Sequence, residues 1–578
     1  MNLSQDFTDK FRFIGGASVT NEKQSLVNGD NNIYGVLSTG ILESPGNNIY
    51  NPDGTFDSSS YLFSNPVQNA LENEATGNTF RVLVNAEFQY DLFDWLTFSS
   101  KWGLDNLEFY QKTYLPSTST RGAGSNGLAE DRQRVIRRLM TTQGLSVNKN
   151  FSDFSVGGFL GFEYNGRHSR LTVAERTGFA SPFLKNVTQG ATVTNAEGSY
   201  SESNLVSFIG RASLGYKNKY LLEASIRADG SSVFGPNNKY GYFPSVSAGY
   251  IVSEEDWFRN DVLTFLKLRA SYGITGNDSG IGTYEALPGV GSVSYAGAVG
   301  TALTTIGNPD VKWEETTQTN FGATLGFWND RITLEYDYFK KDTDDLLLNV
   351  PLPGNSGFGV TVDGSTAGII SNVGSMTNKG HEVSISADIF RDGEFTWSTS
   401  LGLSTLDNEV TSLDGNSPFT TGFVSRIQEG APLGGFYVLQ ADGLYQSDSE
   451  VPANLAADGV GAGDVKYIDQ NGDGLINDDD YIIGGSPWAD YTAHWKNTLT
   501  FKGFDLDFLW AMSQGNDVFN STLQFAGTAT NPNYGTFNNQ FDYCTSTYTN
   551  ATLLSPNIDT ASYNSSASTR SLEICSWI

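Results

Sequence analysis

The sequence predicts an all-β fold, and more narrowly an antiparallel transmembrane β-barrel, on three observations. Its composition favours strands and turns. Its segments of about ten residues alternate apolar with polar side chains. Its connections are alternately very short and very long.

Composition comes first. Charged residues are 17% of the 578, aromatics are 13%, glycine is abundant at 63, and methionine (4) and histidine (3) are scarce. A usual charged fraction is about 25%, and this mixture suits pleated strands and glycine turns. The formal net charge of −29 excludes a nucleic-acid partner, because phosphate binding rests on Lys and Arg. The only two cysteines, Cys544 and Cys575, exclude a disulfide framework or cysteine metal site in the body of the chain. No window holds the roughly 20 continuous apolar residues of a spanning helix. Barrel strands escape that test, because only every second side chain faces lipid.

The strands follow in order. One is expected near residues 6–19, and from about residue 81 they come in pairs. Weak alternation runs through 205–216 and 220–228, and a further strand is expected over 242–252. In 331–338, Ile332, Leu334, Tyr336 and Tyr338 oppose Arg331, Thr333, Glu335 and Asp337 across the pleat. In 395–404, Phe395, Trp397, Thr399, Leu401 and Leu403 oppose Thr396, Ser398, Ser400, Gly402 and Ser404. In 504–513, Phe504, Leu506, Phe508, Trp510 and Met512 form one face, and Asp505, Asp507, Leu509, Ala511 and Ser513 the other. About 15 strand candidates result, with no fixed-period repeat beyond the hairpin and no linker to a second domain.

Alternation alone fits a soluble sandwich equally well, with the apolar face turned into a core. Connections favour the barrel. Short turns are expected at 91–94, 217–219, 328–330, 391–394 and 502–503. Long polar excursions are expected at about 106–133, 165–204, 276–316, 342–378 and 406–490. Segments of about 9 to 11 residues are what a tilted span requires.

The sharpest chemical pattern is Asp469-Gln-Asn471-Gly-Asp473-Gly-Leu475-Ile-Asn477-Asp-Asp-Asp480. Side-chain oxygens from Asp469, Asn471, Asp473, Asn477 and Asp480, with the Leu475 carbonyl, match the spacing of a calcium loop, and Gly474 supplies its sharp turn. Aspartate stands at 480 where an EF-hand has glutamate, and the flanks read as strand and loop. The competing reading is a solvated acidic Asx-turn loop. His168, His381 and His494 are scattered, with no nucleophile or metal motif beside them, so no enzyme is expected. The acid pairs Glu254-Glu255 and Asp344-Asp345 read as solvated loop residues. Residues 234–238 read as a turn into the next strand, because Gly and Asn tolerate positive φ and Pro fixes its own. Trp313, following Asn308-Pro309-Asp310, suits a membrane-interface girdle.

Four long stretches carry a family resemblance: RADGSSVFGPNNKYGYFPSVSAGYIVSEEDWF (227–258) with LKLRASYGITGN (266–277); NPDVKWEETTQTNFGATLGFWNDRITLEYDYFKKDTDDLLL (308–348); NVGSMTNKGHEVSISADIF (372–390); and GDVKYIDQNGDGLINDDDYIIGGSPWADYTAHWKNTLTFKGFDLDFLWAMSQGNDVFN (463–520). Together they resemble the barrel of SusC/RagA-like TonB-dependent outer-membrane transporters, over most of residues 1–540. The resemblance implies a barrel of about 22 strands, of which about 15 are expected here as an open or incomplete sheet without a plug. It implies no required cofactor, the structural calcium at 469–480 resting on the loop spacing alone. It also implies import of an oligomeric nutrient, usually a glycan fragment and sometimes a peptide. The implied partners are a SusD-like surface lipoprotein and the TonB–ExbB–ExbD complex, the latter reached through a plug that does not precede residue 1. Residues 541–578 depart from the family and are expected to be a truncated or frame-changed tail. The rival reading is a secreted, soluble β-rich carbohydrate-binding protein, whose apolar faces would lie between two sheets.

Overall fold

The computed structural model describes residues 2–520 apart from 28–31, 33, 45, 60, 62, 296–297 and 353–367. The expected tail at 541–578 and both cysteines lie outside the described residues. One antiparallel sheet dominates. Its strands, in chain order, are β1 (Asn2–Thr8), β2 (Phe11–Ser25), β3 (Glu74–Phe93), β4 (Leu96–Leu115), β5 (Leu128–Phe151), β6 (Phe154–Thr177), β7 (Thr192–Tyr216) and β8 (Tyr220–Ser231). They continue as β9 (Tyr240–Ile251), β10 (Leu263–Asn277), β11 (Glu314–Phe327), β12 (Ile332–Asp344), β13 (Ser375–Phe390), β14 (Phe395–Thr405), β15 (Tyr491–Phe501) and β16 (Phe504–Gln514). Each pairs with its neighbour in the chain, the up-and-down order that short turns enforce. A seventeenth strand, Asp407–Ser412, prolongs β14 against β13, so the sheet has sixteen positions among the described residues. There β1 pairs only with β2 and β16 only with β15, leaving the sheet open as expected.

The short turns stand where the sequence placed them. Lys217 and Asn218 adopt φ of 52° and 54°, and Trp328, Asn329 and Asp330 adopt 52°, 56° and 59°. Such left-handed backbone reverses the chain within two or three residues, and Asn and Asp tolerate it well. The segment read as one strand near 6–19 is instead a hairpin. β1 and β2 meet at a turn over Asp9 and Lys10, whose amide donates to the Thr8 hydroxyl at 3.2 Å.

Several strands run much longer than the 9 to 11 residues expected, although β14, β15 and β16 have 11 each. β5 and β6 have 24 residues each and β7 has 25. The excursions read at 106–133 and 165–204 therefore shrink to loops at 116–127 and 178–191. Above the membrane both faces of a strand meet water, so the apolar–polar alternation fades while the backbone ladder continues. A pattern search cannot see such extensions.

Outward rows are apolar and bare. On β8 and β9 they read Tyr220, Leu222, Ala224 and Ile226 opposite Tyr250, Ala248, Val246 and Pro244. Leu160 is 68% exposed and Ile226 53% exposed. A sandwich would cover these side chains with a second sheet, so their exposure removes the soluble reading. On β6 the apolar row spans residues 154–164, ten steps of about 3.3 Å tilted by about 40°, or roughly 25 Å, the height of a barrel's lipid band. Above it the row turns polar at His168 and Arg170.

Aromatic rings ring the turn end of this band. Phe154 meets Tyr216 at 4.7 Å, Tyr220 stacks on Tyr250 at 5.0 Å, and Phe93 stacks on Trp95 at 5.5 Å. They form an interfacial girdle. Outward tryptophans bond their indole N–H locally, Trp495 to the Thr399 hydroxyl at 2.9 Å and Trp397 to Asn497 at 3.0 Å. In lipid no water would satisfy them.

One member of each acid pair read as solvated is in fact engaged. Glu255 accepts from the Tyr220 hydroxyl at 2.6 Å, the Tyr250 hydroxyl at 3.2 Å and Lys219 at 3.2 Å, tying the turn after β9 to the girdle. Those contacts, the Tyr220 hydroxyl foremost and then Lys219, hold its carboxyl below the ordinary value. Asp345 pairs with Lys312 at 2.7 Å. A depressed carboxylate stabilises the folded state above its ordinary pKa and loses that contribution as pH falls through the lower folded value. Exchange of Glu255 for Gln should therefore lower the melting temperature at neutral pH. The difference should close below about pH 4.5, the ordinary value. Melting curves of both proteins across pH check this, and a gap that persists undiminished at pH 3 would contradict it.

Candidate functional site

The opposite face of every strand lines the lumen, and polar residues predominate on it, interrupted by a few apolar ones such as Phe109, Phe159 and Leu171. On β8 and β9, Ser225 and Ser245 bond through their hydroxyls at 2.7 Å. Arg227 reaches Glu163 at 2.9 Å, the Ser207 hydroxyl at 2.7 Å and Asp229 at 2.7 Å. Arg269 bonds the Thr324 hydroxyl at 2.7 Å and pairs with Asp337. Arg81 holds Asp105 through two bonds of 2.9 and 2.8 Å. A cavity of about 490 Å³ opens on this wall beside Ser213, Glu223, Ser247, Lys267 and Asn320. His494 also faces the lumen and lies against Gly402, where a side chain would collide with its ring. His168 and His381 face outward instead, bonded to the Tyr200 and Tyr336 hydroxyls at 3.0 and 2.9 Å. The structure thus keeps the three histidines apart.

The long connections all lie at the other end from the short turns, and their described residues carry helices and small sheets of their own. Between β2 and β3 stand two short helices, Val36–Leu42 and Pro66–Glu72. The Asn65 side chain caps the second by accepting from Val67 and Gln68 at 3.0 and 3.2 Å. The one sequence signal for these helices is Asn65-Pro66, a helix-start pattern outside any strand expectation.

Trp313 corrects an expectation. Rather than sitting in a girdle, it is 6% exposed inside a loop core with Phe234, Phe243, Ile281, Val311 and Leu347. Its ring lies 4.9 Å from Phe234 and 5.3 Å from Phe243, and its indole N–H donates to the Lys239 carbonyl at 3.1 Å. The 234–238 segment is the expected turn, with the Asn238 amide bonded to the Gly235 carbonyl at 3.2 Å. It is pinned by Phe234 beneath Trp313. The indole goes inward because the loop over β9 and β11 needs a core of its own, and a large ring with one donor fills it.

The excursion over 406–490 is a small folded unit. It contains a four-stranded sheet (Phe419–Thr421, Ser425–Ile427, Gly435–Leu439, Tyr481–Gly485), a two-stranded sheet (Ala441–Leu444, Val465–Tyr467) and the helix Ala453–Ala457. The acidic loop hangs between Val465–Tyr467 and Tyr481–Gly485. Asp469 accepts the amides of Gly472 and Gly474 at 2.6 and 2.7 Å. Asn471 and Asp473 accept the amides of Asp473 and Leu475 at 2.9 and 2.8 Å. Asn477 caps the turn at Asp479 at 2.8 Å. Asp480 is fully buried, and its two oxygens accept the amides of Gln470 and Asn477 at 2.8 Å each. The Asn477 amide foremost, then those of Gln470 and Asn471, hold its carboxyl below the usual range, so it is ionised at neutral pH. Among the described residues no three acidic, histidine or cysteine side chains converge on one point. The oxygen set is instead Asp, Asn and backbone carbonyl in alternation, the donor chemistry of a hard cation.

A family model described as TonB dependent receptor-like, beta-barrel, matches residues 18–459. TonB-dependent receptor P3 of Formosa agariphila is 31% identical over 558 residues, covering 91% of this chain and 54% of that protein. TonB-dependent receptor SusC of Bacteroides thetaiotaomicron is 27% identical over 552 residues, covering 90% and 52%. The chain thus spans about half the length of the curated relatives it matches. The solved RagAB peptide transporter superposes with a TM-score of 0.81 at 22% identity, over 96% of this chain and 62% of that one. The chain belongs to the TonB-dependent receptor β-barrel family, a family of outer-membrane transporters and not of enzymes, and within it is similar to SusC.

Proposed function

We propose that the protein imports an oligomeric nutrient, a glycan fragment before a peptide, across the outer membrane. It does so with a SusD-like surface lipoprotein over the loops and with energy from TonB–ExbB–ExbD. The supporting observation is the two-faced sheet: a bare apolar band outside, a hydrogen-bonded polar wall inside, and folded loops at one end only. Polar side chains along the lumen exchange hydrogen bonds with a hydrated oligomer, so passage needs no covalent step. In the family the plug carries the coupling segment, and the wall described here supplies the path. Deleting the gene should abolish growth on one class of oligosaccharide while growth on its monosaccharide continues, and the tagged protein should co-purify with a lipoprotein. Unchanged growth on every oligosaccharide, or recovery without a lipoprotein, would contradict the reading.

We also propose that the 469–480 loop holds a structural calcium through Asp469, Asn471, Asp473, Asn477, Asp480 and the Leu475 carbonyl. Each carboxylate oxygen bonded to an amide keeps a further lone pair for a cation, and Asp480 is already ionised as ligation requires. The ion would fix the loop that joins two of the small sheets. Exchange of Asp469 and Asp473 for Asn should remove about one calcium per chain from the purified protein, read by elemental analysis. Equal calcium in both proteins would refute the site.

A further inference from the structure

In the upper half of the lumen the wall carries three arginines that form no ion pair. The inward row there reads Asp105 on β4, Arg138 on β5, Arg167 on β6 and Ser203 on β7, each directly opposite the next. Arg134 lies on the same face, between Phe109 and Leu171. Asp105 is already held by both arms of Arg81. Among the described residues Arg134, Arg138 and Arg167 make no ion pair, nor does Arg211 lower on the same wall, whereas Arg12, Arg81, Arg132, Arg227 and Arg269 there each do. The Arg167 Nε is buried without a hydrogen-bond partner. Two guanidiniums directly opposite across a ladder repel, and a chain of net charge −29 has carboxylates enough to have paired them. The uncompensated charge is therefore a feature of the path and not of its stability.

The surroundings indicate what meets it. Ser199, Ser201 and Ser203 run up the inward face of β7 opposite Leu171, Ser169 and Arg167. Phe109 lies over Gly77, where a side chain would come within 3.0 Å of its ring. A flat aromatic face, hydroxyls and planar guanidinium forks are complementary to the apolar face, the hydroxyls and the acid groups of a charged sugar. Guanidinium forks bind carboxylate bidentately, and charge assistance makes those bonds strong. We infer that Arg134, Arg138 and Arg167 form a binding site for the carboxylate or sulfate groups of an anionic oligosaccharide. This inference rests on the importer reading and narrows its substrate class.

The test uses the protein purified from outer membranes in detergent. Calorimetry compares short oligogalacturonates and sulfated galactan oligomers with neutral galactan oligomers of equal length and with poly-glutamate peptides. At least one of the two anionic sugars should bind, more weakly as salt rises. The variant R134Q/R138Q/R167Q should lose about tenfold in affinity for each arginine removed, and the single exposed-site variant R134Q about tenfold alone. Carboxylate or sulfate preference then identifies the acid group. Neutral oligomers binding as tightly, poly-glutamate binding more tightly than either sugar, or R134Q and the triple variant both retaining full affinity would overturn the inference. In the last three cases the protein still resides in the outer membrane, whereas absence from that membrane would mark failure of the importer reading instead.

Discussion

Replacing Ile226 by arginine should prevent stable assembly, whereas the same replacement at the neighbouring Ser225 should be tolerated. Ile226 lies about six residues above the girdle at Tyr220, or roughly 15 Å along the membrane normal, near the middle of the lipid band. A charge at that depth on the lipid face costs about 2–4 kcal/mol. Ser225 points into the lumen, where Arg227 and Arg269 already stand among acids and hydroxyls, and the change there should fall within about 0.5 kcal/mol. The amount of heat-modifiable protein in outer membranes measures both. Equal loss at the two positions would mean that β8 does not separate lipid from water.

Removing the Trp313 ring should unfasten the loops while leaving the sheet intact. The side chain is buried among Phe234, Phe243 and Val311 and bonds the Lys239 carbonyl, so Trp313→Ala should cost about 3–5 kcal/mol. That cost falls on the loop core and not on the ladder, because none of the cross-strand hydrogen bonds of β9 to β11 involves the indole. Limited proteolysis should therefore cut within 232–239 or 279–313 in the variant only, with heat-modifiable mobility unchanged. Resistance equal to the parent's would show that the loops are held otherwise.

Much of this architecture is legible in the sequence, for a physical reason. Where lipid lies on one side and water on the other, the pleat forces alternation, so Phe504, Leu506, Trp510 and Met512 declare a strand and its outer face together. Tight turns are equally plain, because few residues accept the left-handed backbone found at 217–218 and 328–330. What lies beyond the lipid is harder to read. The upper halves of β5, β6 and β7 have water on both faces, so Arg132 and Arg167 look like loop residues although they sit on a ladder. Trp313 misleads for a related reason: an indole beside a strand start is the same signal whether it floats at an interface or fills a loop core, and only the positions of Phe234 and Phe243, far away in sequence, decide between them. The candidate site divides likewise. The oxygens of 469–480 are apparent from spacing, but the lumenal arginine patch needs the register of three strands, since its members come from β5 and β6 and the acid opposite them, Asp105, from β4.

The measurement that bears most directly on the account is fractionation of cells producing the tagged protein, followed by electrophoresis with and without boiling. Recovery in the outer membrane, extractable only with detergent and migrating faster unboiled, is the result expected of a sheet whose bare rows of Leu160, Leu222 and Ile226 face lipid. Recovery as a detergent-free soluble protein, with one mobility before and after boiling, would contradict it and require those rows to be covered by protein.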